Sequence, residues 1–212
     1  MADVKICGLK TPEAVEAALV GGARWIGFVV FPKSPRHIAP AAAQALAERA
    51  RGRADIVAVT VDADDALLAE IQATIAPDWV QLHGGESPAR VAAARRYGKQ
   101  GVIKALPIAG AADFAAVSAY EPVADWLMFD AKAPPTADRP GGHGSSFDWN
   151  LLAGKRFSRP WLLSGGLNPE NVVSALNASG APALDVSSGV ESAPGIKDEG
   201  RIAAFLAAAK RA

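Results

Sequence analysis

Trp161-Leu162-Leu163-Ser164-Gly165-Gly166-Leu167-Asn168-Pro169 holds a strand, a turn and a helix start in nine residues. Its first three residues are apolar without polar alternation, which suits a strand covered on both faces. The run breaks at a glycine pair. Asn168-Pro169 then reads as a helix start, a capping side chain before a proline that has no N–H to satisfy. The helix is expected over residues 169–177, and a second apolar run at 184–186 follows it. This is one strand–helix–strand unit, the crossover that parallel pairing requires.

The same unit recurs along the chain. Apolar runs stand at 4–7, 25–30, 56–61, 79–82, 102–105 and 126–129. Helical segments are expected at 12–20, 40–51, 66–75, 88–97, 112–120 and 198–210, with Thr11-Pro12 and Ser87-Pro88 repeating the start signal. The sixth unit carries the weakest helix, a short piece near 149–152. Eight units at roughly 25-residue spacing predict an α/β fold closed as a (β/α)8 TIM barrel. A doubly wound open sheet is the structural rival. No linker interrupts the pattern, so residues 1–212 are expected to form a single barrel domain.

Lysine plus arginine number 22 and aspartate plus glutamate 22, a neutral balance that favours neither a nucleic-acid nor a membrane partner. The one cysteine, Cys7, permits no intramolecular disulfide and fits a reducing compartment. The first residues lack a basic region leading into an apolar run, and no apolar stretch approaches the ~18–20 residues of a membrane span. A cytoplasmic, soluble protein is expected.

Chemistry in such a barrel belongs at the C-terminal strand ends and in the loops after them. Cys7-Gly8 ends the first strand, and Pro32-Lys33-Ser34-Pro35-Arg36 lies in the loop after the second. His83 follows the fourth strand and Asp130 ends the sixth. Ser164-Gly165-Gly166 and Ser187-Ser188-Gly189 follow the seventh and eighth, the usual phosphate position, where backbone N–H groups can cradle an anion. The glycine- and proline-rich stretch 133–146 reads as an active-site loop. Each residue also has a plain structural reading. Cys7 suits an inert buried thiol, Asp130 a capping carboxylate and Arg36 a solvated loop charge. His83 suits a ligand, a substrate contact or a satisfied barrel-end histidine. The three histidines, His37, His83 and His143, show no metal-ligand spacing, and no dinucleotide fingerprint follows the first strand. Neither a metal nor a cofactor is expected.

Taken together and in order, these motifs resemble the phosphoribosylanthranilate isomerase family over the whole chain. The matching pieces are Lys5-Ile6-Cys7-Gly8-Leu9, Gly27-Phe28 through Ser34-Pro35-Arg36, and Val80-Gln81-Leu82-His83-Gly84. They continue with Asp130-Ala131-Lys132, Gly141-Gly142-His143-Gly144 with Phe147-Asp148-Trp149, Ser164-Gly165-Gly166-Leu167 and Asp185-Val186-Ser187-Ser188-Gly189-Val190-Glu191. His143 departs from the threonine more usual in the family. The resemblance implies an Amadori rearrangement in tryptophan biosynthesis, with Asp130 as general acid and Cys7, as thiolate, as general base. It implies Arg36 as the partner of the anthranilate carboxylate, His83 as a substrate-binding residue, and Gly144, Gly165, Gly166, Ser188 and Gly189 on the phosphate loops. The partner is then a phosphorylated small molecule, no cofactor is needed, and a monomer or weak homodimer is expected. The rivals are another aldose–ketose isomerase of the same fold, expected to carry a carboxylate where Cys7 stands, and a non-catalytic phosphosugar-binding barrel.

Overall fold

The computed structural model describes residues 2–134, 136–137, 139–142 and 144–211. Eight parallel strands form one closed barrel: β1 (Asp3–Cys7), β2 (Trp25–Val29), β3 (Asp55–Thr60), β4 (Trp79–Leu82), β5 (Gly101–Ile108), β6 (Trp126–Ala131), β7 (Trp161–Leu163) and β8 (Ala183–Val186). Closure is made by β8 pairing back onto β1, with Lys5 opposite Asp185 and Ile6 opposite Val186. The open-sheet rival is thereby excluded.

The outer layer holds α1 (Pro12–Val20), α2 (Pro40–Ala50), α3 (Asp65–Thr74), α4 (Pro88–Ala94), α5 (Val117–Tyr120), α6 (Val172–Ser179) and α7 (Glu199–Arg211). Thr11 and Ser87 cap as expected, each side chain accepting from a backbone N–H 3.2 Å away. The start at Asn168 needs correction. Asn168 accepts from the N–H groups of Glu170 and Asn171, so it caps a turn, and the helix begins at Val172. The fourth helix ends in a 3-10 turn, Arg95–Tyr97, and the fifth begins with one, Ala111–Ala116. The sixth unit has only a 3-10 piece, Trp149–Leu152. After β8 come a 3-10 turn, Ser188–Val190, and a small hairpin, β9 (Glu191–Ala193) and β10 (Ile196–Lys197). His143 of the glycine-rich stretch lies outside the described residues.

Successive strand residues face opposite ways. One set points between strands and helices, where Ile6, Phe28, Leu82 and Phe129 meet helix residues such as Phe205 in the main core. The other fills the barrel interior with Val57, Val59, Ile103, Ala105, Met128 and Leu162. Its floor is aromatic. Trp25 and Trp126, each the first residue of its strand, pack edge to face at 5.1 Å beneath the Arg24 guanidinium. Trp79 stands beside them in the interior cluster and donates from its ring N–H to Asp55 at 3.1 Å.

Candidate active site

The opposite end of the same strands opens into a pocket lined by Cys7, Arg36, His83, Asp130, Ser164, Asp185 and the loop after β6. Interior parity brings these side chains up from the strands, because Cys7, His83 and Asp130 continue the inward-facing rows. Of the sequence candidates, Cys7, Arg36, His83, Asp130, Gly144, Gly165, Gly166 and Ser188 all line this one pocket. Gly189 does not. It packs against the backbone of Leu167 and Asn168, leaving no room for a Cβ, so it fits the two glycine turns together.

Asp130 is buried at the end of β6. Its Oδ2 lies 3.0 Å from Nε2 of His83, and its Oδ1 accepts the Ala131 N–H at 2.9 Å. Both oxygens of the carboxyl are thus hydrogen-bonded. Gln81 Nε2 sits 3.0 Å from the other ring nitrogen, Nδ1 of His83. With Gln81 donating, His83 presents N–H to Asp130, and the buried Gln81 Oε1 has no partner among the described residues. With the amide turned over, Oε1 accepts from Nδ1–H and Nε2 accepts from a protonated Asp130. The amide orientation and the proton on Asp130 are therefore linked. Gly141 covers this pair closely: a Cβ there would come 2.9 Å from Asp130 Oδ2 and 3.0 Å from His83 Nε2.

Cys7 is buried beside Lys5, which stands two residues earlier on the same face of β1. Burial pushes the thiol above its ordinary range; Lys5 pulls the other way, Asp185 adds to the rise, and Lys197 opposes it. Above these groups, Gly165 and Gly166 adopt positive φ, +93° and +67°. A Cβ on Gly165 would come 2.6 Å from the Ala131 nitrogen, and one on Gly166 2.9 Å from Ser146 Cβ. The backbone N–H groups of Gly144, Gly165 and Gly166 donate to no acceptor among the described residues.

Arg36 is no solvated loop charge, being only 5% exposed. Its Nε and Nη2 donate to the two carboxylate oxygens of Glu191 at 2.8 and 2.9 Å, and Nη2 also reaches the Gly142 carbonyl at 3.3 Å. Glu191 in turn accepts from Lys197 Nζ at 2.6 Å and from the Gly195 N–H at 3.1 Å. Burial alone would raise the Glu191 carboxyl, but Arg36 and Lys197 hold it below its usual range. The same burial depresses the Lys197 ammonium despite Glu191. One edge of the Arg36 fork is thus committed to the protein, and Nη1 belongs to the other edge.

Sequence reasoning gave Lys5, Gln81, Lys197 and Asp185 no role in this site, and placed Ser164 and Glu191 only within the glycine turns, where their side chains in fact hold Asp185 and Arg36. For three of them the signal was present: a polar residue on the inward row of an apolar strand, as in Val4-Lys5-Ile6-Cys7, Val80-Gln81-Leu82-His83 and Leu184-Asp185-Val186. Glu191 and Lys197 had no such signal, since their pairing depends on the hairpin after β8.

A closed (β/α)8 barrel with its reactive and glycine-rich residues gathered at the C-terminal mouth defines the class, a barrel enzyme. A family model described as N-(5'-phosphoribosyl)anthranilate (PRA) isomerase matches residues 4–208, and the chain belongs to that family. It is 55% identical to the N-(5'-phosphoribosyl)anthranilate isomerase of Brucella canis, over 97% of this chain and 93% of that one. Among solved structures it resembles monomers made from the dimeric phosphoribosylanthranilate isomerase of Thermotoga maritima, with 33% identity, TM-score 0.84 and full coverage of both chains. It matches equally a phosphoribosyl anthranilate isomerase in complex with reduced 1-(o-carboxyphenylamino)-1-deoxyribulose 5-phosphate, again at 33% identity, TM-score 0.84 and full coverage of both.

Proposed function

We propose that this isomerase converts N-(5-phosphoribosyl)anthranilate to 1-(2-carboxyphenylamino)-1-deoxyribulose 5-phosphate, with Asp130 as general acid and Cys7 as general base. The observation that carries the assignment is the shared pocket: a thiol from β1 and a carboxyl–imidazole pair from β6 and the β4 loop face the same space under the glycine turns of β7 and β8. Protonated Asp130, in the amide arrangement that leaves the proton on it, gives that proton to the furanose oxygen. The C1′–O bond breaks, and the amine lone pair closes a C1′=N iminium. Cys7 thiolate takes the C2′ proton, and the C–H pair becomes the C1′=C2′ bond as nitrogen recovers its lone pair. The enolamine then gains a proton at C1′ and loses one from the C2′ hydroxyl, yielding the ketone. The substrate's own nitrogen is the electron sink, so proton transfer alone completes the reaction.

The phosphate is assigned to the free N–H groups of Gly144, Gly165 and Gly166 with Ser188, and the carboxylate to Arg36 through its uncommitted edge. Among the described residues the large exposed apolar side chains, Val20, Val173 and Ile196, lie on three different elements, which favours a monomer or weak homodimer. No helix among the described residues is long and apolar enough to cross a membrane, and a cytoplasmic setting suits the free thiol. Purified protein dialysed against EDTA is expected to consume the fluorescence of phosphoribosylanthranilate at an undiminished rate. Loss on chelation with recovery on adding a divalent ion would overturn the mechanism.

A further inference from the structure

We propose that Lys5 is a positioning residue for the catalytic thiol, its buried ammonium facing Cys7 from one layer below and stabilising the thiolate, while Asp185 and Ser164 hold Lys5 in place. The proposal rests on the reading of Cys7 as the base. Strand parity brings the two side chains together, since residues two apart on β1 both point into the barrel. Lys5 is fully buried, a setting in which a lysine ordinarily loses its proton. Here β8 prevents that. Asp185 is the register partner of Lys5, and its Oδ1 accepts from Nζ at 2.7 Å. Ser164 Oγ donates to the other carboxylate oxygen at 3.2 Å, so the acceptor is fixed on both sides.

Asp185 and the Cys7 thiol both raise the Lys5 ammonium against the effect of its burial. Gly27, opposite Cys7 in the β1–β2 register, makes room beside both side chains. A Cβ there would come 3.2 Å from Lys5 Nζ and 3.3 Å from Cys7 Sγ, so both atoms border the one space that a glycine leaves open. The charged groups facing the thiol are Lys5 from its own strand, Asp185 from β8 and Lys197 from the hairpin. Lys197 Nζ has three acceptors, the Ser187 carbonyl and hydroxyl and Glu191, whereas Lys5 Nζ has the single carboxylate partner Asp185 and borders the same Gly27 space as the sulfur. A buried ion pair is a weak source of stability compared with apolar packing. Its placement directly under the reactive thiol gives it a chemical use: the thiolate accepts the C2′ proton while Lys5 keeps its own throughout.

Cys7 is the only cysteine of the chain, so ultraviolet thiolate absorbance and alkylation by iodoacetamide both read this residue alone. In Lys5→Met the titration midpoint should rise by about one to three pH units, the effect of withdrawing a close opposite charge. Alkylation near neutral pH should slow by roughly tenfold or more in the same variant. Should that variant fold poorly with Asp185 left unpaired, Lys5→Met/Asp185→Asn removes both charges and should still raise the midpoint, by less. A midpoint unchanged or lowered in the folded variants overturns the proposal. The pH profile of kcat, measured alongside, tests the parent reading separately. A thiol midpoint that moves while the kcat profile stays fixed keeps the Lys5 assignment and removes Cys7 as the base.

Discussion

The two ends of this barrel are made by the same eight strands and obey different rules. At the floor, inward positions carry indole rings, and Trp25 is 1% exposed against Trp126. At the mouth, inward positions carry a thiol, together with an imidazole and two carboxylates that are hydrogen-bonded to other polar groups. The floor gains stability from apolar area removed from water. The mouth spends some of it on buried charge, which must be paired to be tolerated. Activity and stability should therefore respond to substitution at opposite ends.

The sharpest break is expected at the mouth. Cys7→Ser and Asp130→Asn should each lower kcat by roughly 10²–10⁴-fold, the range for loss of one proton-transferring group. Both should unfold thermally close to the parent protein and still bind a product analogue. If Cys7→Ser keeps near-normal kcat, the base lies elsewhere and His83 becomes the next candidate. Trp25→Ala probes the other end. It should cost about 3–5 kcal/mol of stability, as large-to-small core changes do, while kcat per folded molecule stays near that of the parent. A fall in kcat larger than the fall in folded fraction would mean that the floor communicates with the mouth, and the two-ended picture would fail.

A smaller effect should sharpen the picture within the mouth itself. Arg36→Met is expected to cost about 1.5–3 kcal/mol in kcat/KM, the scale of a hydrogen bond to a charged group. On a substrate analogue lacking the carboxylate, parent and variant should perform alike. An equal penalty on both substrates would show that the guanidinium chiefly supports Glu191 and the loop after β2, and that the carboxylate is read elsewhere.

What the sequence revealed follows the same division. The strands were legible because burial on both faces removes polar residues from them, so the apolar runs mark them directly. Helix starts at Thr11 and Ser87 were legible because capping is local chemistry. Asn168 misled because its side chain caps a turn, and the helix begins four residues later at Val172. The glycine turns were visible as composition, although Gly189 shows that a glycine in such a turn can serve packing between loops. The Arg36–Glu191–Lys197 cluster was not visible, because it joins the β2 loop to a hairpin 155 positions further along the chain. Contacts of that separation are fixed by closure of the barrel, which no local pattern encodes.

The placement of the indoles has a practical meaning for spectroscopy. The chain has five tryptophans, and none of them borders the pocket. Three stand in or against the barrel interior at strand starts, Trp161 lies between barrel and helices against Phe129 and Phe157, and Trp149 opens the short turn of the sixth unit. Their emission wavelength is therefore a built-in gauge of whether the barrel is intact, read from residues that substitutions at the mouth leave untouched. It gives each inactive variant its own folding control without a label.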